Sequence, residues 1–201
     1  MEIGCQRCDV VQCYNAITNT WSLTAPLSGC RSSVCVVTDG HYLFAIGGLQ
    51  MSQFLKTAEK YDPVPNRWMK ITPMHERRGC ACGVTFHERI FVMGGTVDLS
   101  SSEALSCCEI YNTRTDEWHR MASMRIPRFH AGAVMVREVL FVFGGIGYKN
   151  AKQEDLRLVE CYDFKKDEWY TKQLMPYEET YFRCCAVSMY KDFLHSLPAK
   201  I

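Results

Sequence analysis

The side chains with chemistry to offer in this chain are twelve cysteines, six histidines and a few regularly placed arginines. Cys5-x-x-Cys8, with Cys13 close behind, forms one metal knuckle. A structural zinc site takes four ligands, usually from two knuckles. No second Cys-x-x-Cys is present, and Cys80-x-Cys82, Cys107-Cys108 and Cys184-Cys185 are spaced wrongly for one. Cys80 and Cys184 lie near Arg78 and Arg183, and a neighbouring cation favours the reactive thiolate. The plainer reading is reduced thiols buried as small hydrophobes. No Ser-His-Asp set, phosphate loop or carboxylate pair stands at a meaningful spacing. The chain therefore reads as non-enzymatic, with no catalytic residue, metal or cofactor. The arginines remain, at regular spacing. Arg31, Arg78 and Arg128, with Arg77 beside the second, carry a planar guanidinium that grips a carboxylate through two hydrogen bonds.

What must position these arginines is a repeat. Each stands ten residues after a tryptophan: Trp21, Trp68 and Trp118. The glycine pairs Gly47-Gly48, Gly94-Gly95 and Gly144-Gly145 begin 26 residues after the same tryptophans. Tyr14, Tyr61, Tyr111 and Tyr162 each precede a tryptophan by seven residues, the fourth being Trp169. A sequence period of about 50 residues marks an array of small units.

Within a unit, an apolar run follows the arginine: Ser33–Val37, Gly79–Phe86 and Ala131–Val136. A short polar turn leads to a second run ending in the glycine pair, as in HYLFAIGG, ERIFVMGG and EVLFVFGG. Both runs are short, β-branched and aromatic, so they predict strands covered on each side. The double glycine permits a sharp turn or a close backbone approach. A loop of 12, 15 or 16 residues then precedes the tyrosine. A third strand ends at that tyrosine, with Glu59, Glu109 and Glu160 two residues before it. The step from Tyr to Trp predicts a hairpin, because Asn or Asp directly after the Tyr and five residues after it can cap a local turn. The tryptophan opens a fourth strand. Four short antiparallel strands, repeated, describe a β-propeller blade, and a β-sandwich would have no reason to repeat its sequence.

Gly-Gly, then Tyr, then Trp seven residues later is the kelch signature, and the chain resembles that family over about residues 9–190. The glutamate before the tyrosine and the arginine after the tryptophan make it most similar to the C-terminal propeller of BTB-kelch (kelch-like) proteins. The fold implied is all-β: a partial kelch-type propeller of three full four-stranded blades plus pieces at both ends. The expected units are 1–28, a partial blade; 29–75, 76–125 and 126–175, three repeats; and 176–201, a divergent piece and tail. Neither a BTB nor a BACK domain is expected, so the chain reads as a fragment or a short isoform. Alone it should be poorly soluble or self-associated.

The resemblance implies a protein-interaction module: the substrate-recognition propeller of a cullin-RING ubiquitin ligase adaptor. Its partner would be an acidic peptide or a ubiquitination substrate, and cullin would not be bound by this chain itself. The alternative is a structural protein bound to actin or the cytoskeleton. The four tryptophans should pack between blades, each burying roughly 200 Å². On the resemblance, Arg31, Arg77, Arg78 and Arg128 contact the ligand at the channel mouth. The competing reading has the three repeat arginines bonding carbonyls of the next blade. The loops Leu49–Thr57, Thr96–Ser106 and Ile146–Arg157 would lie on the ligand side. Some kelch-type propellers are oxidases or sugar isomerases. Copper chemistry would need converging histidines, but His41, His75, His87, His119, His130 and His195 occupy different repeat positions. His130 alone falls near a channel position.

A formal net charge of +1 gives no basic excess for nucleic acid or an anionic membrane. The apolar runs are about five residues long, against the about 20 that a spanning helix needs. The first residues, MEIGCQRCDVVQCY, lack the apolar core of an export signal. The expected location is cytoplasmic, with cytoskeletal association or the nucleus also open.

Overall fold

The computed structural model describes residues 9–98, 103–149 and 152–175. Among them every regular element is a strand. The chain opens with a two-stranded piece, β1 (Gln12–Asn15) and β2 (Thr20–Leu23). The first complete sheet is built from β3 (Cys35–Thr38) and β4 (Leu43–Ile46), followed by a loop bearing the minor strands β5 (Leu49–Gln50) and β6 (Gln53–Phe54). It closes with β7 (Ala58–Asp62) and β8 (Arg67–Ile71). The second is β9 (Cys82–Phe86), β10 (Arg89–Met93), β11 (Cys108–Asn112) and β12 (Glu117–Met121). The third is β13 (Gly132–Val136) and β14 (Val139–Phe143), a loop hairpin of β15 (Ile146–Lys149) and β16 (Lys152–Asp155), then β17 (Leu158–Asp163) and β18 (Glu168–Leu174). In each complete sheet the four main strands run antiparallel in chain order. The expected final piece, 176–201, lies outside the described residues, as do Cys5, Cys8, Cys184 and His195.

Local chemistry explains the hairpins. Asn15, Asp62, Asn112 and Asp163 each accept a backbone N–H two residues on, at 2.8–3.0 Å, which closes the turn between the third and fourth strands. The residue before each fourth strand is left-handed: Asn19, Asn66, Asp116 and Asp167 have φ of 49–57°. Asn and Asp tolerate that region better than other side chains.

The first strands begin later than the apolar runs suggest. Ser33, Cys80 and His130 turn the chain with φ of 51–55°, so the ladder starts two residues further on. These three residues also link neighbouring sheets. Cys80 N–H donates to Ser33 O, and His130 N–H to Cys80 O, both at 2.9 Å. The first strands thus stand side by side, and their residues line a cavity of about 140 Å³.

The joints between sheets repeat one pattern. Trp68, Trp118 and Trp169 donate Nε1–H to Ala25 O, Thr72 O and Ala122 O of the preceding unit, at 2.7–3.0 Å. The same three residues return a backbone N–H to Asn66, Asp116 and Asp167 at 2.8–3.0 Å. Tyr61, Tyr111 and Tyr162 donate their hydroxyls to those side chains. Around this polar stitch lie the apolar cores. Phe44, Ile46, Ile90, Val92, Tyr111 and Trp118 pack the first sheet against the second. Phe91, Met93, Leu140, Val142, Tyr162 and Trp169 pack the second against the third. Trp118 and Trp169 are buried as expected. Trp21, on the two-stranded piece, is 67% exposed among the described residues.

Candidate partner-binding face

The loops between second and third strands and the segments joining one sheet to the next gather at one end of the molecule. Bridges Ser32–Leu49, Gly79–Thr96 and Phe129–Ile146 pair each joining segment with the loop of the sheet it enters. The glycine pair makes this possible. Gly47 and Gly94 have φ of 63°, and a Cβ on either would lie 2.3 Å from the carbonyl oxygen of Arg78 or Arg128. Gly48 and Gly95 then donate their N–H groups to those same carbonyls at 2.9 Å.

The repeat arginines hold the base of this end together. Arg31 donates through one terminal nitrogen to Gly47 O and Thr57 O, and through the other to Glu59 at 2.5 Å. Arg78 bonds Gly94 O, Cys107 O and Glu109 at 2.7–2.9 Å. Arg128 bonds Gly144 O, Leu158 O and Glu160 at 2.5–3.0 Å. Each glutamate also caps the incoming segment: Glu59 accepts Ser28 N–H, Glu109 accepts His75 and Glu76 N–H, and Glu160 accepts Arg125 N–H. Burial alone would raise the Glu109 pKa. The N–H of His75 and the Arg78 charge outweigh it and hold the carboxyl below the usual range.

These positions correct the sequence expectation for three of the four candidate arginines. Arg31, Arg78 and Arg128 are only 7%, 1% and 0% exposed. Their terminal nitrogens serve carbonyls and a glutamate of their own sheet, so they neither face a ligand nor bond the next blade through the side chain. It is the backbone that crosses the joint: Arg78 N–H donates to Leu55 O and Arg128 N–H to Leu105 O, at 3.0 and 3.1 Å. Each arginine is a rivet through the loop base. Arg77 is the one candidate whose side chain reaches solvent at this end.

The loops expected on the ligand side add exposed residues at this end, and only His75 and Arg125 of those that follow lie outside the stretches singled out in the sequence. Met51, at the tip of the β5–β6 loop, is 88% exposed. Exposed Lys56, His75 and Arg125 lie in the same loop layer, and the β15–β16 hairpin adds exposed Lys152, Gln153, Glu154 and Asp155. The variation of these loops between copies, against a constant base, is the signal that marked them in the sequence.

Five of the described thiols belong to the core, while Cys13 is exposed and Cys30 and Cys107 are partly covered. Cys35, Cys80, Cys82, Cys108 and Cys161 are buried and unbridged. Burial pushes the Cys108 thiol up to about 12. Burial, with Cys35 and Cys108 nearby, raises Cys82 as well. Neither is poised as a thiolate. Among the described residues no group of three His, Cys, Asp or Glu is arranged to hold a metal ion. No helix among them is long and apolar enough to cross a membrane.

Comparison with known proteins agrees with this architecture. The Kelch motif matches residues 30–75, 77–125 and 127–173. Kelch-like protein 7 of Rattus norvegicus is 36% identical over 87 residues, covering 43% of this chain and 14% of that protein. Kelch-like protein 23 of Homo sapiens is 29% identical over 181 residues, covering 90% of this chain and 30% of its own length. Kelch-like protein 41b of Danio rerio is 28% identical over 176 residues, covering 85% and 28%. The chain thus spans less than a third of the length of each of these relatives.

Proposed function

Because the chain belongs to the kelch-repeat family, with the motif matched three times over residues 30–173, we propose that it is a non-catalytic recognition module whose partner is a protein segment. One observation carries this reading. The loop bases are held by identical Arg–Glu rivets, while the loops they carry differ in length, composition and exposure from copy to copy. Variable loops on a rigid base are the usual form of a recognition surface. By resemblance to kelch-like proteins, the captured segment belongs to a ubiquitination substrate. The cullin-docking step belongs to parts of such proteins outside these repeats. Arg77 marks where an acidic side chain is gripped, through the paired hydrogen bonds that a guanidinium makes with a carboxylate.

The test is a titration of a fluorescein-labelled, glutamate-rich peptide against the chain and its Arg77→Ala variant. The expected result is saturable binding, weakened roughly tenfold by loss of one charge-assisted pair. Equal binding by both proteins, or none by either, would sink the acidic-segment reading. Co-sedimentation with actin filaments would turn the assignment toward the cytoskeletal alternative.

A further inference from the structure

A cavity of about 760 Å³ lies at the opposite end, between the hairpins of the second and third sheets. One break in the repeat accompanies it. The second residue after the tyrosine is Pro63, Thr113 or Phe164 in the three complete sheets. In the second sheet Thr113 donates its N–H and its hydroxyl to Glu88 O, at 2.9 and 3.1 Å, tying one hairpin to the other. In the third sheet Phe164 instead lies edge-on to Phe91 and Tyr162, with ring centroids 5.5 and 4.8 Å away. Those contacts fix the ring while leaving Phe164 38% exposed, and Tyr170 is exposed to the same degree. The groove is lined by these two residues and Phe86, and by the acidic residues Glu88, Glu138 and Asp163.

We propose that this groove is a second binding site, separate from the loop face, that takes a cationic side chain — arginine or lysine — from an extended protein segment. Aromatic faces attract a cation. An apolar anchor would fill the volume but would strip water from Glu138 with nothing in return, whereas Asp163 already accepts the turn N–H of Lys165 and Glu88 is paired with Arg114. A guanidinium satisfies rings and carboxylates together. Glu88 is shared with Arg114 at 3.4 Å. Among the described residues Glu138 has no ion pair, which makes it the principal counter-charge. His87, Arg89 and Lys165 also border the groove. The two permanent cations oppose an incoming charge, so their removal has a defined sign.

The experiment is fluorescence anisotropy with three labelled octapeptides of Gly and Ser, carrying two arginines, two leucines or two glutamates. A chain of net charge +1 has no general attraction for the first. The expected result is saturable binding of the arginine peptide. Phe164→Thr, which installs the residue of the preceding repeat, weakens it roughly tenfold, as loss of a desolvated ring contact implies. Glu138→Gln weakens it, Arg89→Ala tightens it, and Arg77→Ala at the other end leaves it unchanged. Tyr170→Leu provides a second ring deletion should Phe164→Thr fail to fold by circular dichroism. Absence of saturable binding, indifference to both ring deletions, or equal affinity for the leucine peptide overturns the proposal. None of these outcomes bears on the glutamate-rich peptide and Arg77, so the two sites fail independently.

Discussion

At the scale of the residue, the Arg–Glu rivet is a buried ion pair in which each charge depends on the other. Removing one partner of a buried pair strands the other charge without water. Arg78→Ala is therefore expected to cost about 3–5 kcal/mol, read as a lowered midpoint in urea unfolding. The pH dependence has a definite sign. The folded pKa of Glu109 lies below its unfolded value. Its contribution is therefore in place above the unfolded carboxylate range near about 4.3. It is lost as pH falls through the lower, folded value. Stability should drop along an acid limb that Glu109→Gln flattens. An unchanged limb in that variant would remove Glu109 from the account. The sequence was misleading here for a geometric reason. The position ten residues after the tryptophan falls at a strand entrance, but the side chain turns back into its own sheet. The clue was present in Glu59, Glu109 and Glu160, each lying 28–32 residues after its arginine. Such a fixed companion of opposite charge suits a buried pair better than a surface contact.

At the scale of the element, the sheet was readable because its marks are local. Tyr, Asn or Asp, and Trp shape a hairpin within one short stretch and need no knowledge of the rest of the chain. The strand starts were less readable, because the left-handed residues before them are Ser33, Cys80 and His130, three types with no shared signal for such a turn. The joint depends on the indole N–H as well as on ring area. Trp118→Phe keeps most of the apolar surface but leaves Thr72 O without its donor. A loss of about 1–3 kcal/mol is expected, measured by chemical denaturation. Trp21→Phe, at the exposed copy of the same position, should change stability by less than about 0.5 kcal/mol. Similar costs at both sites would show that the bond across the joint is not what matters.

At the scale of the whole molecule, the three sheets are stitched to one another rather than standing as independent units. Each joint draws its bonds and packing from both of the units it connects, so stability is shared between neighbours. The β1–β2 piece presents Tyr14, Ile17, Trp21 and Leu23 to solvent among the described residues. Contiguous exposed apolar side chains and open strand edges promote association. The chain on its own is expected to elute from a sizing column as dimers or larger species, shifting toward monomer on dilution. A monodisperse monomer at high concentration would contradict this. The groove beside Phe164 could not be read from the sequence, since it arises where two sheets meet.

The indoles also make the stitched sheets self-reporting. Trp118 and Trp169 sit in dry joints at 6% and 3% exposure, Trp68 is half-covered, and Trp21 faces water at 67%. Each therefore emits from a different local polarity, and each belongs to one particular boundary. Keeping a single tryptophan at a time would turn intrinsic fluorescence into a joint-by-joint record of which boundary opens first. No added dye would be needed.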